Sequence, residues 1–100
     1  MDVQAVYRID PDQPDGSHTV TRIISDIKRP NGIVVSPDQS RLYVIESWPE
    51  NNNVWAYALN PDGSVGNRFL FYSFGYGRGG DGMCIDSQGN LYVVSQTFGH

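Results

Sequence analysis

One hundred residues fit within a single ordinary domain, and a composition of 39% hydrophobic and 12% aromatic residues excludes a disordered tail. A formal net charge of −4, with seven Lys and Arg residues scattered along the chain, argues against a nucleic-acid partner, because neutralising phosphates takes clustered basic residues. No run of about 18 apolar residues could span a bilayer, and Met1-Asp2-Val3-Gln4 lacks the charged and apolar regions of a signal peptide, so a soluble, cytoplasmic chain with no membrane partner is expected.

The strand signals are short, bounded by turns and rich in Val, Ile, Tyr and Phe, and no segment has a helical period. The first strand is predicted over Val3–Asp10, stopped by Pro11 and a loop whose Pro and Gly suit turn dihedrals. Thr19–Ser25 gives the second. Gly32–Ser36, Arg41–Ser47, Val54–Asn60 and Arg68–Phe74 follow as four strands with hairpin-length connections, and Gly82–Asp86 and Asn90–Gln96 repeat the first two of them. Cys84 is the only cysteine, so one chain builds neither a disulfide framework nor a thiolate metal site, and its setting between Met83 and Ile85 predicts a small buried hydrophobe.

Two segments set fifty residues apart organise this series. Arg29-Pro30-Asn31-Gly32 and Gly79-Gly80-Asp81-Gly82 each open an apolar run, and each run leads into a near-copy, Arg41-Leu42-Tyr43-Val44 or Asn90-Leu91-Tyr92-Val93. A strand repeat of this period is the signature of propeller blades. Asp10-Pro11 matches Asn60-Pro61 at the same offset, so residues 1–28 read as the outer strands of a shared blade, 29–78 as a complete blade, and 79–100 as the inner strands of a shared blade. The expected fold class is therefore all-β, with two four-stranded blades per chain arranged as half, whole and half. Unpaired edges at both ends would recruit other chains head to tail, and such contacts form rings when the rotation closes. The chain's expected partner is itself: two copies would give four blades, three six and four eight, and a six-bladed homotrimer is favoured.

Pro30-Asn31-Gly32 with Ser36-Pro37-Asp38 and Leu42-Tyr43-Val44, then Asp81-Gly82-Met83-Cys84-Ile85-Asp86 with Gly89-Asn90-Leu91-Tyr92-Val93, resemble consecutive blades of the senescence-marker-protein/gluconolactonase-like six-bladed propellers. The resemblance covers nearly all of the chain but about a third of such a propeller. It implies a divalent-cation site, commonly calcium, on the propeller axis, used to hydrolyse sugar lactones and related esters. By motif, Asn31 and Asp81 match two of the family's metal ligands, and Asp81 also matches its catalytic base. The family's glutamate ligand and its further axial asparagine and arginine come from blades outside these residues, so the ligand set here is incomplete. In a trimer the axis would carry three copies of Asn31 and Asp81, and converging carboxylates favour cation binding or raised pKa values.

Simpler readings stand beside these. Asn31-Gly32 and Asp81-Gly82 are strong turn formers, and Asp38 and Asp86 are expected to cap turns through backbone amides. Asn51-Asn52-Asn53 reads as a solvated hairpin loop, Trp48 and Trp55 as packing between blades, and Gly75–Gly80 as a flexible connection without the Lys-Ser/Thr ending of a phosphate loop. His18 and His100 have no nucleophile at informative spacing. Two functional classes follow: a metal-dependent lactonase with Asp81 activating water, or a self-assembling unit, whether fragment, engineered or ancestral-like. The second is favoured, with cation binding on the axis and weak hydrolysis at most, which leaves the status of the chain as an enzyme open.

Overall fold

The computed structural model describes residues 5–11, 13–27, 29–48, 51–75 and 78–97, and of these it gives the backbone alone at positions 48, 51, 78, 79, 81 and 95–97. All described secondary structure is β: β1 (Val6–Ile9), β2 (Val20–Ile24), β3 (Pro30–Val35), β4 (Arg41–Trp48), β5 (Asn51–Leu59), β6 (Val65–Ser73), β7 (Arg78–Ile85) and β8 (Leu91–Thr97). They form three antiparallel sheets, β1-β2, β3-β4-β5-β6 and β7-β8. No helix among the described residues is long and apolar enough to cross a membrane. Each strand expected from the sequence is present, with β3, β5, β6 and β7 beginning two to four residues earlier than their apolar cores suggest.

The early start of β5 overturns the loop expected at Asn51-Asn52-Asn53. These residues pair with Trp48, Ser47 and Glu46 of β4. Asn52 is buried, and its side-chain amide donates to the Gly75 carbonyl at 2.9 Å while its own carbonyl accepts from the Phe74 amide at 2.7 Å. A polar run can therefore sit in a strand where the segment after β6 supplies its partners.

Four turns repeat one local device. Asp15, Asp38 and Asp62 each accept from the amide and hydroxyl of the serine two residues on, at 3.0 Å and 2.6 Å in every case. Asp86 caps its turn through the Gln88 and Asn90 amides, at 3.0 and 2.8 Å. These bonds favour the ionised form; those from Ser40 and Ser36 hold Asp38 down at about 2, and those from Asn90 foremost do the same for Asp86. The capping expected of Asp38 and Asp86 is thus the role they play.

The left-handed position of these turns is filled by Gly16, Gly63 and Gly89, but in the β3–β4 turn by Gln39 with φ 61°. A side chain there costs about 1 kcal/mol relative to glycine. Gln39→Gly should therefore stabilise the chain by about 0.5–1 kcal/mol in urea unfolding; a loss of stability would show that the Gln39 side chain makes a compensating contact.

Strand β4 explains why the core has two halves. Successive side chains of a strand point to opposite faces, and Leu42-Tyr43-Val44-Ile45 is apolar throughout, so both faces must be covered. Leu42 and Val44 join Ile24, Ile27 and Tyr57 in one cluster, with Val6 and Ile23 of the β1-β2 ribbon packed on it. Tyr43 and Ile45 join Val54 and Ala56 in the other, against Met83, Ile85, Leu91 and Val93 of the β7-β8 ribbon. The central sheet is sandwiched between two ribbons. On the first side, Tyr57 donates to Asp26 Oδ1 at 2.9 Å and Arg68 to the Asp26 carbonyl at 3.0 Å, tying the segment after β2 to the central sheet. Cys84 departs from expectation: it is exposed, because alternation along β7 turns Met83 and Ile85 to the central sheet and the thiol away from it.

Candidate functional site

Strands β3 and β7 belong to different sheets but pack beside each other. Each pairs irregularly with its neighbour near its start. The register shifts between Pro30 and Gly32 in β3 and between Gly80 and Met83 in β7, which places Asn31 in one irregularity and Asp81-Gly82 in the other. The sequence favours these breaks: Pro30 has no amide hydrogen to give a ladder, and glycine flanks Asp81 on both sides. Bulges of this kind locally re-aim side chains.

Asn31 Nδ2 donates to the Gly80 carbonyl at 3.2 Å, so the structure joins Asn31 to the backbone segment that carries Asp81. The Asp81 side chain itself lies outside the described residues. Gly80 is buried and lets β7 lie close against β4: a Cβ there would lie 2.9 Å from Ile45 Cγ2 and 3.2 Å from Val93 Cγ1. Asn31, by contrast, is exposed at the surface.

A polar residue not singled out in the sequence stands nearby. Glu46 is buried opposite Pro30 and Asn53, and its carboxylate accepts from Trp55 Nε1 at 2.9 Å and from Asn53 Nδ2 at 3.2 Å. The signal was available: a carboxylate ending the apolar run Tyr43-Val44-Ile45 must be satisfied if the strand is covered. Trp55 packs against the cluster beneath the β1-β2 ribbon and carries the Arg68 guanidinium 4.0 Å above its ring, which agrees with a packing role; the Trp48 side chain lies outside the described residues.

Other sequence candidates fall elsewhere. Asp38 and Asp86 cap turns at the ends of β3 and β7 opposite to Asn31 and Asp81. His18 Nδ1 lies 3.0 Å from the Asp10 carbonyl, and His100 is outside the described residues. The glycine-rich run is a connection only in part, since Arg78, Gly79 and Gly80 already belong to β7. Among the described residues, no three His, Cys, Asp or Glu side chains converge on one point.

The model of the SMP-30/Gluconolactonase/LRE-like region matches residues 1–98. A gluconolactonase of Zymomonas mobilis is 36% identical over 100 residues, covering 93% of this chain and 27% of its own length. A lactonase drp35 of Staphylococcus epidermidis and one of Staphylococcus aureus are each 40% identical over 93 residues, covering 89% of this chain and 26% of theirs. The chain thus spans about a quarter of the length of the curated relatives it matches.

Proposed function

The chain belongs to the SMP-30/gluconolactonase/LRE-like family, and we propose that it is a self-assembling two-blade unit of a lactonase-type, six-bladed propeller that binds a divalent cation on its axis. The observation that carries this reading is the pair of bulges at Asn31 and Asp81, on adjacent inner strands joined by the Asn31–Gly80 bond. The donor set suits a hard cation such as calcium, which prefers carboxylate and amide oxygens. Asn31 would offer its amide oxygen and Asp81 its carboxylate. A cation held there would polarise a lactone carbonyl. Asp81 would take the proton of the attacking water. Two ligand positions per chain make hydrolysis weak at most in the unit itself.

In this reading the two ribbons are complementary halves of one blade, so copies pair head to tail and three copies give six blades. The alternative, a metal-dependent sugar-lactone hydrolase acting as an oligomer, is favoured by the relatives' printed names. Titration calorimetry with calcium decides whether the axial site exists. Saturable binding is expected, weakened at least tenfold, about 1.4 kcal/mol, by Asp81→Ala. Unchanged affinity in the variant would remove Asp81 from the site, and a light-scattering mass of one chain would remove the closed ring.

A further inference from the structure

Each side of the central sheet is covered over only half its width, and the uncovered halves are apolar. On the side of β1-β2, Ile33 and Val35 of β3 are 47% and 41% exposed and border a groove of about 370 Å³ that runs beside β1. On the side of β7-β8, Phe69 and Phe71 of β6 are exposed, Phe71 lying edge-on to Tyr43 with ring centroids 5.1 Å apart. The ribbons repeat the pattern on their outer faces. Tyr7 and Ile9 are exposed on β1, and Tyr92 and Val94 are exposed on β8 at 57% and 64%, next to Cys84 of β7. These faces continue the two packed clusters directly, since Ile33 and Val35 share a face with Leu42 and Val44.

We propose that a second copy of this chain fills these open faces in one fixed register: β8 of one copy adds to β1 of the next, with Leu91 opposite the partner's Tyr7 and Tyr92 opposite the partner's Val6. The proposal rests on the propeller reading above and adds the contacts that make it specific. The register is copied from within the chain. Val35 pairs with Leu42 as Ile85 pairs with Leu91, so β8 is the counterpart of β4. The match of Asp10-Pro11 to Asn60-Pro61 makes Tyr7 of β1 the counterpart of Tyr57 in β5. Strands β4 and β5 pair Leu42 with Tyr57 and Tyr43 with Ala56, and substituting the counterparts gives the stated pairs.

Side-chain placement agrees with that register. Val6 already packs toward its own central sheet, and Leu91 and Val93 toward theirs, so addition of β8 to β1 disturbs neither cluster. It lays Tyr92 and Val94 of one copy over the partner's Ile33 and Val35. It also lays the partner's Tyr7 and Ile9 over Phe69 and Phe71. Both apolar halves are then buried by one docking event, as expected when a strand is added to an open edge whose flanking face is also apolar. The central sheet separates β1 from β8 in one chain, so the pairing must be intermolecular.

The register can be read with cysteines. The Leu59 amide donates to the Ser40 carbonyl at 3.0 Å, which makes that pair hydrogen-bonded and, by alternation, Tyr43–Ala56 non-hydrogen-bonded. Tyr92 and the partner's Val6 inherit the latter geometry, whose close Cα atoms suit a disulfide. In a Cys84→Ser background, Val6→Cys and Tyr92→Cys are made as separate proteins, mixed and mildly oxidised, with Val94→Cys as the off-register control. The expected result is a heterodimeric cross-link from Val6→Cys with Tyr92→Cys at least fivefold faster than with Val94→Cys. A parent mass of several chains with equal or reversed rates would overturn the register while leaving the propeller reading in place. A single-chain mass at all concentrations, with no cross-link, would overturn both.

Discussion

Replacing Ile45 by alanine is expected to destabilise the chain by about 4 kcal/mol, the upper part of the range for removing a fully buried branched side chain. Ile45 is 0% exposed and sits where two sheets meet: its Cγ2 and Cδ1 atoms line the space that a Cβ on Gly80 would enter. Its neighbours in the cluster, Tyr43, Val54 and Ala56, are held by the β4–β5 ladder, so they cannot collapse freely into the void. The cost should be the transfer term plus most of the cavity term. Urea unfolding followed by circular dichroism gives the number directly. A loss below about 1 kcal/mol would mean that the β7-β8 ribbon is not packed on the central sheet through this residue.

Glu46→Ala should cost about 2–3 kcal/mol for a different reason. The carboxylate is buried and receives the Trp55 indole and the Asn53 amide, so its removal leaves two polar donors to find other acceptors in a covered site. Glu46→Gln keeps one side-chain oxygen as an acceptor and should recover part of the loss. Chemical unfolding gives the cost, and tryptophan emission should shift as the indole loses its partner. If alanine costs less than about 0.5 kcal/mol and emission does not change, the carboxylate is dispensable to this end of the sheet.

The parts of this architecture that were legible in the sequence depend on local rules. Alternation and β-branched runs located the strands, and Pro, Gly and Asp located the turns, because each needs only residues a few positions apart. The repeat of Pro30-Asn31-Gly32 in Gly80-Asp81-Gly82 showed that the two segments are equivalent, but the turn-forming character of both pairs concealed that Asn31 and Asp81 lie inside β3 and β7 at irregular pairings. What stayed hidden depends on residues far away in the chain. Asn52 is a strand residue because Gly75, 23 positions on, accepts from it, and a run of asparagines gives no hint of that partner. Cys84 lies exposed because the ribbon β7-β8 has one covered face, a fact about sheet stacking that its apolar neighbours conceal. Glu46 could be read as a carboxylate needing a partner, but which partner depends on the pairing of β4 with β5, which sets Trp55 across from Val44, two positions back on the same face.

The central sheet is also a meander, each strand hydrogen-bonded to the one that follows it in the chain. Its two fully described turns, at Asp38 and Asp62, are stapled by serines two residues downstream and need nothing distant to form. Loop closure for each hairpin therefore costs little entropy, whereas bringing Asp26 to Tyr57 closes 31 residues. Folding should accordingly start as a zipper of hairpins through β3–β6, with the ribbons arriving afterwards on a surface already built to receive them.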